Sequence, residues 1–269
     1  MSETRERDAT TVVEATRAPP RPAFVSSLAR WMAVLPINAV LLSLCMPLSL
    51  VSSTAAHWLL VGLCRIDFRL LGLEVSRDDP NGAYPGRGLV VVCLNQASLI
   101  ETLIAPCACP RAFRSVVNLE FTLIPFYGWV QALCGRVIVR QWPAQAKRQL
   151  RRAARDLRRG ACYYISIEGR RSLDGALQPY KKGPVVMAIE GNADILPVIF
   201  EGARDRLPHG HWRVRPGPMR VRRLPLISTD GLGYDDRDRV VDQLRALAEQ
   251  HLRSRTRGCR PRHARARGD

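Results

Sequence analysis

Aromatic residues are scarce in this chain, at 6% of its 269 positions. The sequence also lacks a zinc-finger spacing, an aromatic RNA-binding signature and a basic recognition helix, the usual marks of nucleic-acid-binding proteins. Acidic residues are few as well, 24 against 41 lysines and arginines, and the formal net charge is +17. Such a charge favours an anionic partner. We therefore expect a phospholipid surface or a phosphorylated substrate as the partner, and no nucleic acid.

Clusters of cysteine are also lacking. Cys107 and Cys109 form a C-x-C pair with no second cluster in the sequence, so we expect no zinc site and no redox centre. Five further cysteines lie in apolar runs, where a small thiol packs well: Cys45, Cys64, Cys93, Cys134 and Cys162. This distribution is typical of a reduced protein that faces the cytosol, and we expect neither a metal nor another cofactor.

Charge is absent from residues 31–64, which contain no Asp, Glu, Lys or Arg. Since about 20 apolar residues cross a bilayer as a helix, we expect a membrane element here. Pro36 and Pro47 interrupt it, so two short helices in one leaflet compete with a single span. A buried core hairpin and a cleaved signal peptide are further alternatives. Arg65 and Arg69 follow, and the positive-inside tendency places the remaining chain on the cytoplasmic side.

Strand-like and helix-like patterns alternate after residue 72, which is typical of an α/β domain with a mixed sheet flanked by helices. The run at 89–94 is apolar and β-branched, and 144–159 has the spacing of a basic amphipathic helix. Further predicted strands cover 112–117, 136–139, 161–167, 195–200 and 219–226, and further predicted helices cover 98–105, 184–190 and 236–252. We divide the chain into a disordered leader (1–30), the membrane element (31–64), an α/β domain (65–252) and a disordered basic tail (253–269).

Four blocks of sequence carry the candidate chemistry. They are LNQASLIE at 94–101, a block at 120–140 that contains IPFYGW and GRVIVR, EGRRS at 168–172 with YKKG at 180–183, and ILPV at 195–198. In order and spacing, these blocks resemble the glycerophospholipid acyltransferases that act on 1-acylglycerol 3-phosphate. The resemblance implies acyl transfer from acyl-CoA or acyl-carrier protein to a lysophospholipid, first of all 1-acylglycerol 3-phosphate, at a membrane phospholipid surface.

The first block departs from that family at its catalytic residues. Gln96 stands where the family keeps a catalytic histidine, and Glu101 replaces the aspartate that orients it. A neutral imidazole accepts a proton near its pKa of about 6.5, whereas a glutamine amide does not. Two interpretations follow: Glu101 is the base of a rebuilt site, or the chain is a catalytically impaired relative that binds lipid as a scaffold or regulator.

The residues expected to bind the phosphate match the family's pattern better than the catalytic residues do. The resemblance assigns recognition of the glycerol phosphate to Glu168, Gly169 and Arg171, with Arg140 at the end of the second block. A guanidinium group binds phosphate with two parallel hydrogen bonds, and glycine permits close approach of the backbone. Lys182, together with Lys181, adds positive charge. We therefore expect phosphate binding in either interpretation of Gln96.

Overall fold

The computed structural model describes residues 24–84, 86–139 and 141–258, with the backbone alone for residues 253–258. The predictions for the first 23 residues, for Arg140 and for the last 11 residues lie outside this part of the chain. All elements below refer to the described residues.

The apolar N-terminal stretch forms two antiparallel helices, α1 (Phe24–Val51) and α2 (Ser53–Leu71). Ser52 separates the helices and caps α2, because its Oγ accepts a hydrogen bond from a backbone N–H three residues later, at 3.2 Å. Asn38 of α1 donates to the buried Asp67 of α2 at 2.7 Å. This bond ties the two helices together inside an otherwise apolar hairpin.

Helix α1 continues through both of its prolines, Pro36 and Pro47. Among the described helices, it is the one that is long and apolar enough to cross a membrane. Only 17% of its most apolar window is buried in the protein, whereas a core helix of a soluble protein is mostly covered. The hairpin therefore exposes an apolar surface along α1.

The domain that follows contains a seven-stranded sheet in the described part of the chain, in the order β1-β7-β6-β2-β5-β3-β4. The strands are β1 (Leu73–Asp78), β2 (Leu89–Cys93), β3 (Arg114–Asn118), β4 (Arg136–Ile138), β5 (Cys162–Ser166), β6 (Asp194–Glu201) and β7 (Gly217–Arg223). Strands β6 and β7 pair antiparallel, and the other neighbours pair parallel. This mixed sheet, flanked by helices, confirms the predicted fold class.

Helices cover both faces of the sheet. They are α3 (Ile100–Ala108), α4 (Tyr127–Cys134), α5 (Pro143–Leu157), α6 (Gly183–Glu190), α7 (Ala203–Arg206) and α8 (Arg237–Gly258). Successive residues of a strand point to opposite faces. Val91 of β2 accordingly packs in the cluster that contains α1, α2 and α3, and Val90 packs in the cluster that contains α5, α6 and α8. The apolar hairpin and the basic helix α5 thus lie on opposite faces.

The predicted elements are present with shifted ends. The strand expected at 89–94 is β2, and the helix expected at 144–159 is α5. The helix expected at 98–105 begins later, at Ile100, although the Ser98 Oγ does accept a hydrogen bond from the Ile100 N–H at 3.2 Å. Strand β1 and helix α4 were not predicted. Strand β1 lies at an edge and is mostly exposed, so its sequence has no apolar run.

Two segments that were expected to be disordered are helical in the structure. Residues 24–30 belong to α1, where the Phe24 ring packs edge-on against Trp212 at 5.2 Å. Residues 253–258 continue α8 beyond the predicted end of the domain. In both cases a neighbouring helix extends through residues whose polar composition had suggested disorder.

Candidate active site

In open α/β sheets, ligands usually bind at the edge where the carboxyl ends of the parallel strands lie. Gln96 follows β2 there, Asn118 ends β3 and Gly169 follows β5. All three line one cavity of about 150 Å³, together with Lys181 and Tyr164. The sheet thus brings the first and third sequence blocks and the end of β3 to one place, although they are far apart in the chain.

Two residues hold the start of the loop that carries Gln96. The Leu94 N–H donates to the Val198 carbonyl at 3.0 Å, which continues the pairing of β2 with β6. The Asn95 side chain then bonds both the N–H and the carbonyl of Phe200, at 2.9 and 2.8 Å. Asn95 therefore takes the place of a strand backbone and fixes the position of Gln96.

Glu101 lies behind this loop, in the first turn of α3, and is 1% exposed. Its carboxylate accepts the N–H groups of Ala97 and Ser98 at 3.0 and 3.2 Å. Burial raises the pKa of Glu101 well above its usual range, against the lowering effect of the bond from Ala97. Glu101 is not among the described residues that line the cavity, so its geometry suits holding the loop more than taking a proton from a substrate.

Glu168 joins the first and third sequence blocks. One carboxylate oxygen accepts the Gln96 N–H at 2.8 Å, and the other accepts the Gln178 N–H at 2.7 Å. The Ser172 N–H also donates to the Gln96 carbonyl, at 2.6 Å. Burial raises the pKa of Glu168 to about 7, and the two backbone bonds oppose that rise. Glu168 therefore holds the loops of Gln96 and Gln178 together, and it is not among the described residues that line the cavity.

Only some of the other predicted phosphate ligands lie at the cavity. Gly169 has a φ of 68°, in the left-handed region that favours glycine, and it lines the cavity. Arg171 lies close enough to Glu101 to lower the pKa of that carboxyl. Lys181 lines the cavity. Lys182 does not line it, because its Nζ pairs with Asp238 of α8 at 2.7 Å. Arg140 is outside the described residues.

An apolar groove of about 500 Å³ adjoins the cavity. Helix α1, helix α3 and the segment at 124–127 form its walls, and Thr102 and Tyr127 line both the groove and the cavity. The groove is almost entirely apolar, which suits a hydrocarbon chain. A molecule with a polar end and a long apolar chain can therefore occupy both spaces at once.

Sequence reasoning missed several residues of the cavity. Asn118 donates to the Gly169 carbonyl at 3.4 Å and lies two residues before the second sequence block, a position that could have drawn attention to it. Thr102 and Tyr164 gave no such signal, because a threonine in a helix and a tyrosine in a strand are ordinary packing residues. Their place at the site follows from the fold.

Comparison with known proteins places these features in a family. The family model described as Acyltransferase matches residues 72–201. The 1-acyl-sn-glycerol-3-phosphate acyltransferase of Limnanthes douglasii is 32% identical over 160 residues, 59% of this chain and 57% of that protein. The enzyme of the same name from Cocos nucifera is 27% identical over 165 residues, 61% of this chain and 53% of that protein. The chain thus spans little more than half the length of these curated relatives.

A solved structure shares the fold. The crystal structure of the 1-acyl-sn-glycerophosphate acyltransferase PlsC from Thermotoga maritima superposes with a TM-score of 0.71 at 18% identity, covering 86% of this chain and 95% of that one. The sheet and its flanking helices thus have the same fold as that structure. Residues 72–201 thus match the family model described as Acyltransferase, and the similar curated proteins are named 1-acyl-sn-glycerol-3-phosphate acyltransferase, in agreement with the resemblance of the four sequence blocks.

Proposed function

We propose that the protein transfers an acyl group from a thioester donor, acyl-CoA or acyl-carrier protein, to 1-acylglycerol 3-phosphate. The observation that carries this proposal is the junction of the polar cavity and the apolar groove at Thr102 and Tyr127. A glycerol phosphate and an acyl chain need such a pair of spaces side by side. The names of the similar curated proteins point to the same reaction.

The phosphate of the acceptor binds near Gly169 and Lys181 in this proposal. Both residues line the cavity, and Lys181 is exposed. Arg140 and Arg171 remain proposed ligands. Lys182 is a further proposed ligand, for which its ion pair with Asp238 has to break. That pair is weak, because both side chains are about half exposed.

The transfer itself proceeds without a histidine. The 2-hydroxyl oxygen of the acceptor attacks the thioester carbonyl carbon, the C–S bond breaks, and the hydroxyl proton reaches the departing sulfur through solvent. Gln96 orients the hydroxyl by accepting its hydrogen bond, and Glu101 and Glu168 hold the Gln96 loop. Since a general base contributes about 10² to 10⁴ in rate, we expect slow turnover.

A second candidate is a catalytically impaired relative that binds lysophospholipid as a scaffold or regulator. One observation favours it: among the described residues that line the cavity, none is a histidine or a carboxylate. Gly169 and Lys181 still serve phosphate binding in that case. Both candidates place the protein at a membrane through α1, with the α/β domain on the cytoplasmic side.

The test is an acyl-transfer assay with the purified chain in detergent micelles. Labelled acyl-CoA and acyl-carrier protein are supplied with lysophosphatidate, and lysophosphatidate binding is measured in parallel. Turnover that Gln96→Ala reduces at least tenfold supports the transferase, with Gln149→Ala on α5 as a control that keeps activity.

Other results select the alternative or reject both. An inert parent that binds lysophosphatidate, and that gains turnover as Gln96→His, supports the impaired relative. A parent that neither binds lysophosphatidate nor transfers acyl groups would refute both candidates.

A further inference from the structure

A second lipid-sized cleft lies at the opposite end of the sheet from Gln96. Its wall includes Arg114, which begins β3, and Cys162, which begins β5. The candidate active-site cavity extends along β3 as far as Ser115, but none of the described residues lines both that cavity and the cleft. Since a strand rises roughly 3.3 Å per residue, the length of β5 places Cys162 roughly 13 Å from the end of the sheet at which Gln96 lies. The cleft is therefore distinct from the candidate active site.

The cleft consists of two adjoining cavities of about 510 and 410 Å³. Ser53, His57, Phe113 and Arg114 line both of them. The first cavity reaches the loops before β3 and β5, and the second runs between the end of α1 and the end of α4. Their combined space accommodates one amphipathic molecule.

Positive charge dominates the rim of this cleft. Four arginines line it, Arg111, Arg114, Arg136 and Arg159, against one carboxylate, that of Asp156. Two arginines share the Asp156 carboxylate, which pairs with the guanidinium groups of Arg136 at 2.6 Å and Arg114 at 3.0 Å. Arg159 forms no ion pair with a described residue. The rim thus carries positive charge in excess, which suits a phosphate group.

The hairpin supplies the other half of a lipid site. Leu50 and Val51, at the turn between α1 and α2, are 74% and 86% exposed, and Leu50 lines the second cavity with Leu133. Trp58 lines the first cavity and is 60% exposed, as is typical of an anchor at a membrane interface. Apolar surface for an acyl chain therefore lies next to charge for a headgroup.

Two polar features point into the same region. The N-terminus of α2, at Ser53 and Thr54, lines the first cavity, and the end of a helix that carries free N–H groups favours an anion. His57 is 4% exposed and lines both cavities, yet its Nδ1 has no hydrogen-bond partner among the described residues.

We propose that this cleft binds one anionic glycerophospholipid, with its phosphate between Arg111, Arg114 and Arg159 and an acyl chain along the hairpin turn. The lipid is a resident of the membrane and not the acyl acceptor, since the cleft is remote from Gln96. It fixes the hairpin to the α/β domain at the membrane surface. The proposal does not depend on acyl transfer.

The test is a titration of the full chain, in zwitterionic micelles, with dihexanoyl phosphatidylglycerol. We expect a saturable change in the emission of Trp58, which Trp58→Phe abolishes, and slower deuterium exchange of residues 53–60. Dihexanoyl phosphatidylcholine should produce neither change. Inorganic phosphate serves as a third arm, and an equal response to phosphate alone would overturn the lipid assignment.

Charge reversal locates the site. Arg114→Glu with Arg159→Glu should weaken the binding of dihexanoyl phosphatidylglycerol at least tenfold. Arg152→Glu, an equally exposed change on α5 that does not line the cleft, should weaken it less than twofold. Equal losses in both variants would show that general charge attraction explains the binding and would refute the site. Deuterium exchange in the unsubstituted chain gives a result even where a variant does not fold.

Discussion

At the scale of the residue, the missing imidazole decides the chemistry of Gln96. Gln96→His places a group with a pKa of about 6.5 at the cavity, while Glu101 and Glu168 still hold its loop. We expect acyl transfer to rise about 100-fold, and to increase with pH as the imidazole loses its proton near pH 6.5. Rates measured from pH 5 to 8.5 check this. A variant with the flat pH profile of the parent would contradict it.

Gly169 is required for its backbone conformation. At a φ of 68°, alanine is strained, which costs about 1–3 kcal/mol in the free energy of unfolding. Gly231 has a φ of 71° with open space around its Cα, so Gly231→Ala carries the same strain away from the cavity. We expect both variants to lose similar stability, but only Gly169→Ala to bind lysophosphatidate about tenfold more weakly. Urea unfolding and lipid titration measure the two effects, and equal binding losses would contradict the assignment of Gly169.

The raised pKa of Glu168 predicts how stability depends on pH. The folded chain keeps this proton up to about pH 7, whereas a free glutamate loses it near 4.5. Because the folded state then binds more protons, the free energy of unfolding falls as pH rises through this window, by on the order of 1–3 kcal/mol. Glu168→Gln should remove that part of the slope, and the exposed Glu120→Gln should not. Urea unfolding at pH 5 and 7.5 compares them; an unchanged slope in Glu168→Gln would disprove the assignment.

At the scale of the element, the bond between Asn38 and Asp67 holds the hairpin. Asn38→Leu leaves the Asp67 carboxylate, 1% exposed, without the 2.7 Å bond that it receives. We expect a loss of about 1–3 kcal/mol, because an unpaired buried polar group costs its desolvation. Adding Asp67→Leu should recover most of it, since two apolar groups need no partner. Thermal unfolding of both single variants and the double variant completes a double-mutant cycle. Additive losses in the free energy of unfolding would show that the bond contributes little.

Elements with a strong local pattern were predictable from the sequence, and contacts between distant elements were not. The run at 89–94 is apolar and β-branched, so β2 was expected, and α5 was expected from its basic amphipathic spacing. Strand β1 gave no pattern, because its exposed edge position requires no apolar run.

The same limit applies to the site. Gln96, Glu168 and Gly169 were predicted from their blocks, yet the direction of the Glu101 carboxylate was not. It depends on the Ala97 and Ser98 N–H groups, whose orientation only the folded loop fixes. The sequence blocks therefore identified some of the residues that meet at the site, whereas the folded backbone determined what Glu101 does there.

At the scale of the molecule, an apolar surface and a basic surface lie on opposite sides of the sheet. Helix α1 carries exposed apolar residues along its length, including Val40 at 61% and Leu44 at 56%. Helix α5, on the other face, exposes five cationic side chains, among them Lys147, Arg148 and Arg151. We propose that this polarity orients the domain at a membrane, with the hairpin face against lipid and the basic face toward water and its anionic solutes.

The orientation predicts which substitutions release the protein from membranes. Burial of a valine or leucine side chain contributes about 1.5–3 kcal/mol each. Val40→Glu with Leu44→Glu should therefore weaken binding to uncharged phosphatidylcholine vesicles at least 100-fold. Tyr234 is 59% exposed, and the Arg237 guanidinium of α8 lies 4.1 Å from the centre of its ring; α8 packs on the face of the sheet away from α1. Tyr234→Glu should therefore leave binding unchanged. Vesicle flotation measures both, at high salt so that apolar contact dominates; equal flotation of the two variants would mean that α1 is not the surface that meets the membrane.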